Sequence, residues 1–95
     1  MPEASVVGHI RVKNASLWDQ YRSQVPATLE PWGGQLVFRG SQLAAFAGEC
    51  PYSEIVVLRF PSGEAAQGWF ASPAYQALIP IRAQAADVQL ISYAI

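Results

Sequence analysis

An α+β fold of order β-α-β-β-α-β is predicted by three observations. Apolar residues alternate with polar or small ones in four short stretches, at 5–12, 35–39, 54–60 and 88–93. The first and second stretches, and the third and fourth, are separated by segments with helical spacing. Capping residues stand where those helices should start: Asn14 or Ser16 before the first, Ser62 and Ser72-Pro73 within the second. This order is the split βαβ, ferredoxin-like arrangement: an antiparallel four-stranded sheet with both helices on one face, here a single domain over residues 1–95.

Each element has its own reason. Residues 5–12 alternate around valine and isoleucine. Asp19 stands three residues after Ser16, as in a capping box. Leu17, Tyr21, Val25 and Leu29 then recur every four residues and make one apolar stripe. Pro26 removes a donor inside that stripe, which predicts a kink or a restart. Pro31 and Gly33-Gly34 end the helix and turn the chain into the second strand, 35–39. Residues 40–52 read mostly as loop, with a strand extension at 43–47. Glu54–Phe60 (EIVVLRF) is the strongest strand signal. Pro61 ends it, and Ser62 caps a helix to about Ala71. Ser72-Pro73 restarts the helix through Ala74, Tyr75, Leu78 and Ile79, and Pro80 marks another kink.

Alternation also assigns faces. Val6, Gly8, Ile10 and Val12 share one side of the first strand, Val7, His9 and Arg11 the other. Leu36 and Phe38 oppose Gln35, Val37 and Arg39; Val56, Leu58 and Phe60 oppose Ile55, Val57 and Arg59. Gln89, Ile91 and Tyr93 join the second set. The first set of each strand is almost purely apolar and belongs under the helices. The second mixes branched apolar residues with His9, Arg11, Arg39 and Arg59, which is too greasy for a solvated face.

Composition agrees. Of 95 residues, 52% are apolar and only 14% charged, against about 25% in an average globular chain. That balance excludes disorder and favours a second copy covering the bare face, a symmetric dimeric α/β barrel. Burying four or five branched side chains per subunit contributes on the order of 1.5–3 kcal/mol each. The net charge of −1 gives no nucleic-acid footprint. No apolar run approaches the ~18–20 residues that span a bilayer, and the first residues lack a signal peptide's pattern, so a cytoplasmic protein is expected.

The chain resembles a known family on a set of residues: Tyr21, Leu29, Gly33-Gly34, Arg39-Gly40, Glu49, Phe60-Pro61-Ser62, Ala65-Ala66, Trp69, Ser72-Pro73 with Tyr75, and Arg82. Together these resemble the domain-of-unknown-function 1330 family, of the dimeric α/β-barrel superfamily, from Tyr21 to Tyr93. Arg59, Cys50 and Glu54 depart from its usual pattern. The resemblance implies a homodimer of ferredoxin-like subunits and no assigned reaction. Related barrels include cofactor-independent monooxygenases, polyketide cyclases, lactone isomerases and haem-degrading enzymes, so the fold alone names no function.

Candidate chemistry is sparse. His9, the single histidine, is an acid or base if it faces a cavity, or else an interface histidine without consequence. Arg11, Arg39 and Arg59 either converge on a small carboxylate or pair with Glu30, Glu49, Glu54 or Asp87. Arg39 is the best of the three, because it also matches the family pattern. Glu49 is a general base at the sheet's mouth, or the partner of Arg39 or Arg82. Tyr21, Tyr75 and Arg82 come from helices and line a ligand cleft, or else the tyrosines are core and Arg82 ties its helix to a carboxylate. Trp69 reads as core; Trp18 and Trp32 edge a pocket or simply pack. One histidine, one cysteine and scattered acids make no metal site. With no nucleotide-binding fingerprint either, no cofactor is expected. The reading is a homodimer that binds a small, anionic organic molecule through Tyr21, Arg39, Tyr75 and Arg82. The alternative is a cofactor-independent isomerase, cyclase or monooxygenase using His9 or Glu49.

Overall fold

The computed structural model describes residues 3–95. Its elements are β1 (Ala4–Val12), α1 (Ala15–Leu29), a 3-10 turn (Glu30–Trp32), β2 (Gln35–Ser41), β3 (Glu54–Phe60), α2 (Gly63–Ala71), α3 (Pro73–Gln76), α4 (Ile79–Ala85) and β4 (Ala86–Ala94). The strands form one antiparallel sheet in the order β2-β3-β1-β4. The helices cover one of its faces. No helix among the described residues is long and apolar enough to cross a membrane.

Local chemistry sets the helix ends. The Asn14 side chain, not Ser16, accepts the Leu17 amide at 3.1 Å and starts α1. Asp19 instead accepts from Arg22 one turn on, at 3.1 Å. No restart occurs at Pro26: α1 runs through it. The reason is position. Pro26 is exposed, and the carbonyl it leaves unmatched belongs to Arg22, also exposed, so nothing in the core loses a partner. Ser62 caps α2 by accepting the Ala65 amide, and Ser72 caps α3 by accepting the Tyr75 amide. The second helical segment breaks at Ala77-Leu78, after which Pro80 sits in the first turn of α4.

The turn from α1 into β2 is set by glycines. Gly33 takes φ 68°, in the left-handed region that favours glycine. A Cβ on Gly34 would stand 2.7 Å from the Phe60 ring and 2.9 Å from Leu29.

The core lies between helices and sheet. Val6, Leu58 and Phe60 meet Tyr21, Val25 and Leu29 of α1, Trp69 of α2 and Tyr75 of α3. Phe60, Trp69 and Tyr75 are fully buried. The Trp69 indole donates to Thr28 Oγ1 at 2.9 Å, and Thr28 donates to the Val25 carbonyl at 2.6 Å, so α1 and α2 are joined by a satisfied polar pair inside an apolar core.

Cross-strand partners share a face, so register assigns the faces directly. Val7 opposite Val57 and Ile91, and His9 opposite Ile55 and Gln89, confirm the open side of β1, β3 and β4. In β2 the expectation fails. Leu36 stands opposite Leu58, but Phe38 stands opposite Val57, because the register shifts between Leu36 and Phe38. Val37 is the extra residue of a β-bulge, and every side chain after it changes side. Phe38 therefore lies on the open face, half exposed, and Arg39, opposite Val56, lies on the helix side. Arg39 does not join His9, Arg11 and Arg59.

The open face carries Val7, Ile55 and Val57, half-buried, and Phe38, Ile91 and Tyr93, exposed. Its arginines are already paired within the chain. Arg59 binds both oxygens of Glu3, and Arg11 donates to Asp87 at 2.6 Å. The strand expected at 43–47 is not formed. Beyond Ser41 the chain makes a loop closed by Gln42 N–H donating to the Ser53 carbonyl at 2.7 Å, with Leu43 and Phe46 fully exposed. The chain exposes 5889 Å² in all, above the roughly 5,400 Å² of a folded monomer of this size.

Candidate functional site

The cavity that matters lies under α1. Trp18, Tyr21, Val25 and Leu29 form its roof, and Ile10, Val56, Leu58 and Leu90 form its floor. It holds about 480 Å³, within the range of small-molecule sites. The β2 edge closes one side with Leu36, Arg39 and Ser41. The lining is mainly apolar, and its charged members are Arg22 and Glu30 from α1 and the turn after it, with Arg39 and Glu54 from the strands.

Local sequence explains this composition. Positions three and four apart on α1 face one way, so Trp18, Tyr21, Val25 and Leu29 descend on the sheet together, with Arg22 and Pro26 beside them. Trp18 stacks on Tyr21, with ring centroids 5.1 Å apart and planes 29° from parallel. The bulge at Val37 brings Arg39 to this side.

Three polar side chains are strung behind the roof. Arg82 Nη1 donates to Tyr75 Oη at 2.9 Å, and Tyr75 Oη lies 2.8 Å from Tyr21 Oη. Burial pushes the Tyr21 hydroxyl well above the ordinary phenol range; the charges of Arg82 and Arg39 oppose that shift but do not cancel it. Tyr21 is therefore a neutral phenol at physiological pH, able to donate a hydrogen bond and not to act as an anionic base.

The cations can be accounted for one by one. Arg11 and Lys13 pair with Asp87, Arg22 with Asp19, and Arg59 with Glu3. Arg82 is held by a phenol rather than by the expected carboxylate. Of the lysines and arginines among the described residues, Arg39 alone has no hydrogen-bond or ion-pair partner, and it lines the cavity.

Four of the six candidates named from the sequence thus assemble. Tyr21, Tyr75 and Arg82 form one hydrogen-bonded row, and Arg39 shares the cavity with Tyr21. The other two stand elsewhere. His9 is on the open face, its ring 6.2 Å from that of Tyr52. Glu49 is in the exposed loop, far in character from a cavity wall. Sequence reasoning missed Arg22, and it offered Glu30 and Glu54 only as partners for arginines and not as cavity lining. The signal for the first two is their i, i+4 spacing from Trp18 and Pro26; for Glu54 it is the parity shared with Val56 and Leu58. No three metal-ligating side chains cluster among the described residues.

A family model described as "Domain of unknown function (DUF1330)" matches residues 3–93. The chain belongs to this family. No protein of curated function matches it. Among solved structures, a protein of unknown function from Rhodopseudomonas palustris superposes with TM-score 0.79 at 20% identity, covering 97% of this chain and 81% of that one. A cofactor-independent oxygenase from Streptomyces nogalater, SnoaB, gives TM-score 0.71 at 11% identity, with 98% and 92% covered. A dimeric ferredoxin-like protein of unknown function from Thermobifida fusca gives 0.66 at 17% identity, with 99% and 92% covered. At these identities the likeness is one of fold: the DUF1330 chain is an α+β, ferredoxin-like protein.

Proposed function

We propose that this DUF1330 protein is a homodimer that binds a small organic molecule, with an apolar body and an anionic group, in the cavity under α1. Arg39 and Tyr21 contact the ligand, while Tyr75 and Arg82 hold Tyr21 from behind. The observation that carries the reading is the unpartnered guanidinium of Arg39 beside an apolar cavity of ligand size. Glu30 and Glu54 on the same lining narrow the choice to ligands whose charge sits close to Arg39. A metal or a redox cofactor has no part in this reading. The lone cysteine, Cys50, is free and exposed, which fits a reducing, cytoplasmic setting.

The dimer is supported by the greasy open face and by a dimeric relative in fold. Its test is mass in solution: sedimentation at micromolar concentration should give twice the chain mass. The ligand reading is tested by calorimetry and native mass spectrometry against a library of aromatic and aliphatic carboxylates. Binding should weaken about tenfold or more in Arg39→Ala. Unchanged binding in that variant, or none in the wild type, overturns it.

An oxygenase of similar fold favours a second reading, cofactor-independent catalysis. In that case the acid or base is His9 or Glu49, working at the open face or the loop and not in the cavity. An activity that survives both His9→Ala and Glu49→Gln removes it.

A further inference from the structure

The row Arg82–Tyr75–Tyr21 has a direction. A guanidinium only donates, so Tyr75 Oη accepts from Arg82 at 2.9 Å. Tyr75 has a single hydroxyl hydrogen, and its side chain is fully buried and does not line the cavity under α1. The one acceptor within reach of that hydrogen is Tyr21 Oη, at 2.8 Å. Were the bond reversed, the Tyr75 hydrogen would be left unmatched in the core, a costly arrangement. Tyr75 therefore donates to Tyr21. Tyr21 in turn makes no other hydrogen bond within the chain, and Tyr21 lines the cavity.

We infer that Tyr21 presents its hydroxyl hydrogen to the cavity as a fixed donor for a ligand oxygen. This deepens the reading of the same site and rests on it for the identity of the ligand. Each bond along the row polarises the next, so the cation at its far end strengthens the donor at its near end. Arg82 and Tyr75 are positioning residues and do not touch the ligand. With the Arg39 guanidinium on the strand side and the Tyr21 hydroxyl on the helix side, two donors of different reach converge on one oxygenated group. The Trp18 ring stacked on Tyr21 extends the roof as a flat apolar wall. The class of ligand this selects is a carboxylate or carbonyl compound carrying a flat, unsaturated or aromatic body.

Two measurements test it. Neutron diffraction from deuterium-exchanged crystals of the unliganded protein should place the Tyr75 deuteron between the two phenol oxygens and the Tyr21 deuteron away from Tyr75. A Tyr21 deuteron directed at Tyr75 overturns the inference, and needs no variant that risks misfolding. Calorimetry with benzoate then probes the ligand. Tyr21→Phe should weaken benzoate binding about tenfold or more, and Tyr75→Phe by a smaller factor with the Tyr21 deuteron no longer fixed. Equal benzoate affinity in wild type and Tyr21→Phe overturns the donor role. If benzoate does not bind the wild type although both deuterons lie as stated, the donor assignment is supported and the anionic-ligand reading fails.

Discussion

The two faces of the sheet are built from the same residue types and end in different states. On the helix side, Val6, Leu58 and Phe60 are buried against α1, α2 and α3. The polar groups buried with them, Thr28, the Trp69 indole and the Tyr21–Tyr75 pair, all have partners. On the open side, Val7, Ile55 and Val57 are only half covered, Phe38 and Tyr93 remain 50% exposed, and the arginines are clamped to acids at the margins. The first face is finished by its own chain. The second has its charges neutralised and its apolar centre still uncovered, the part that the proposed dimer would cover.

Substitutions on each face should therefore fail differently. The largest effect belongs to the finished face. Phe60→Ala removes a ring with 1% exposure that contacts Trp69. It should cost about 3–5 kcal/mol of unfolding free energy by chemical denaturation. On the open face, Phe38→Glu should leave the circular dichroism of the fold unchanged and weaken self-association about thirtyfold or more by sedimentation. A variant that unfolds, or one that still runs as a dimer, erases the contrast between the faces. Next comes Gly68→Ala on the helix side. A Cβ there would stand 2.3 Å from the Trp32 ring, so that ring, or the 3-10 turn that carries it, must shift. A loss of about 1–3 kcal/mol is expected from thermal unfolding.

The smallest effect is electrostatic. Hydrogen bonds from Arg59 hold the Glu3 carboxyl below its ordinary range, and those from Arg11 do the same for Asp87. A carboxylate depressed in the folded state contributes stability that is complete above its unfolded value of about 4 and is lost as pH falls through its folded value. Both pairs are solvent-exposed, so the decline in acid should be shallow and reduced further by salt. Tyr21 behaves in the opposite sense. Its raised value keeps stability intact below about pH 10, and stability then falls as pH rises further. Absorbance titration of wild type against Tyr21→Phe separates that tyrosine from the rest.

Most of the fold was legible because each element announces itself locally. Ser62 and Ser72 cap the helices they were assigned, and the alternation of β1 and β3 gives their faces directly. The site was legible only in part. A bulge is visible in a sequence when it breaks an apolar–polar rhythm, and Leu36, Val37 and Phe38 are all apolar, so the slip leaves no trace. Parity accordingly puts Arg39 on the open face with His9, Arg11 and Arg59, and only the structure brings it to the cavity beside Tyr21. The partners of long side chains were equally hidden. Arg82 reaches seven residues back to a phenol, and Arg59 reaches Glu3 across 56 residues, distances that no local pattern encodes.

The extra residue at position 37 acts as a reading-frame shift written in side chains. A chain that kept all seven letters of β2 but paired them without the slip would set Phe38 opposite Val56 and Arg39 opposite Ile55, and so aim the arginine at the opposite side of the layer. Whether one amino acid in an outer strand pairs or stands aside thus decides if the chamber receives a ring or a charge, with every letter unchanged.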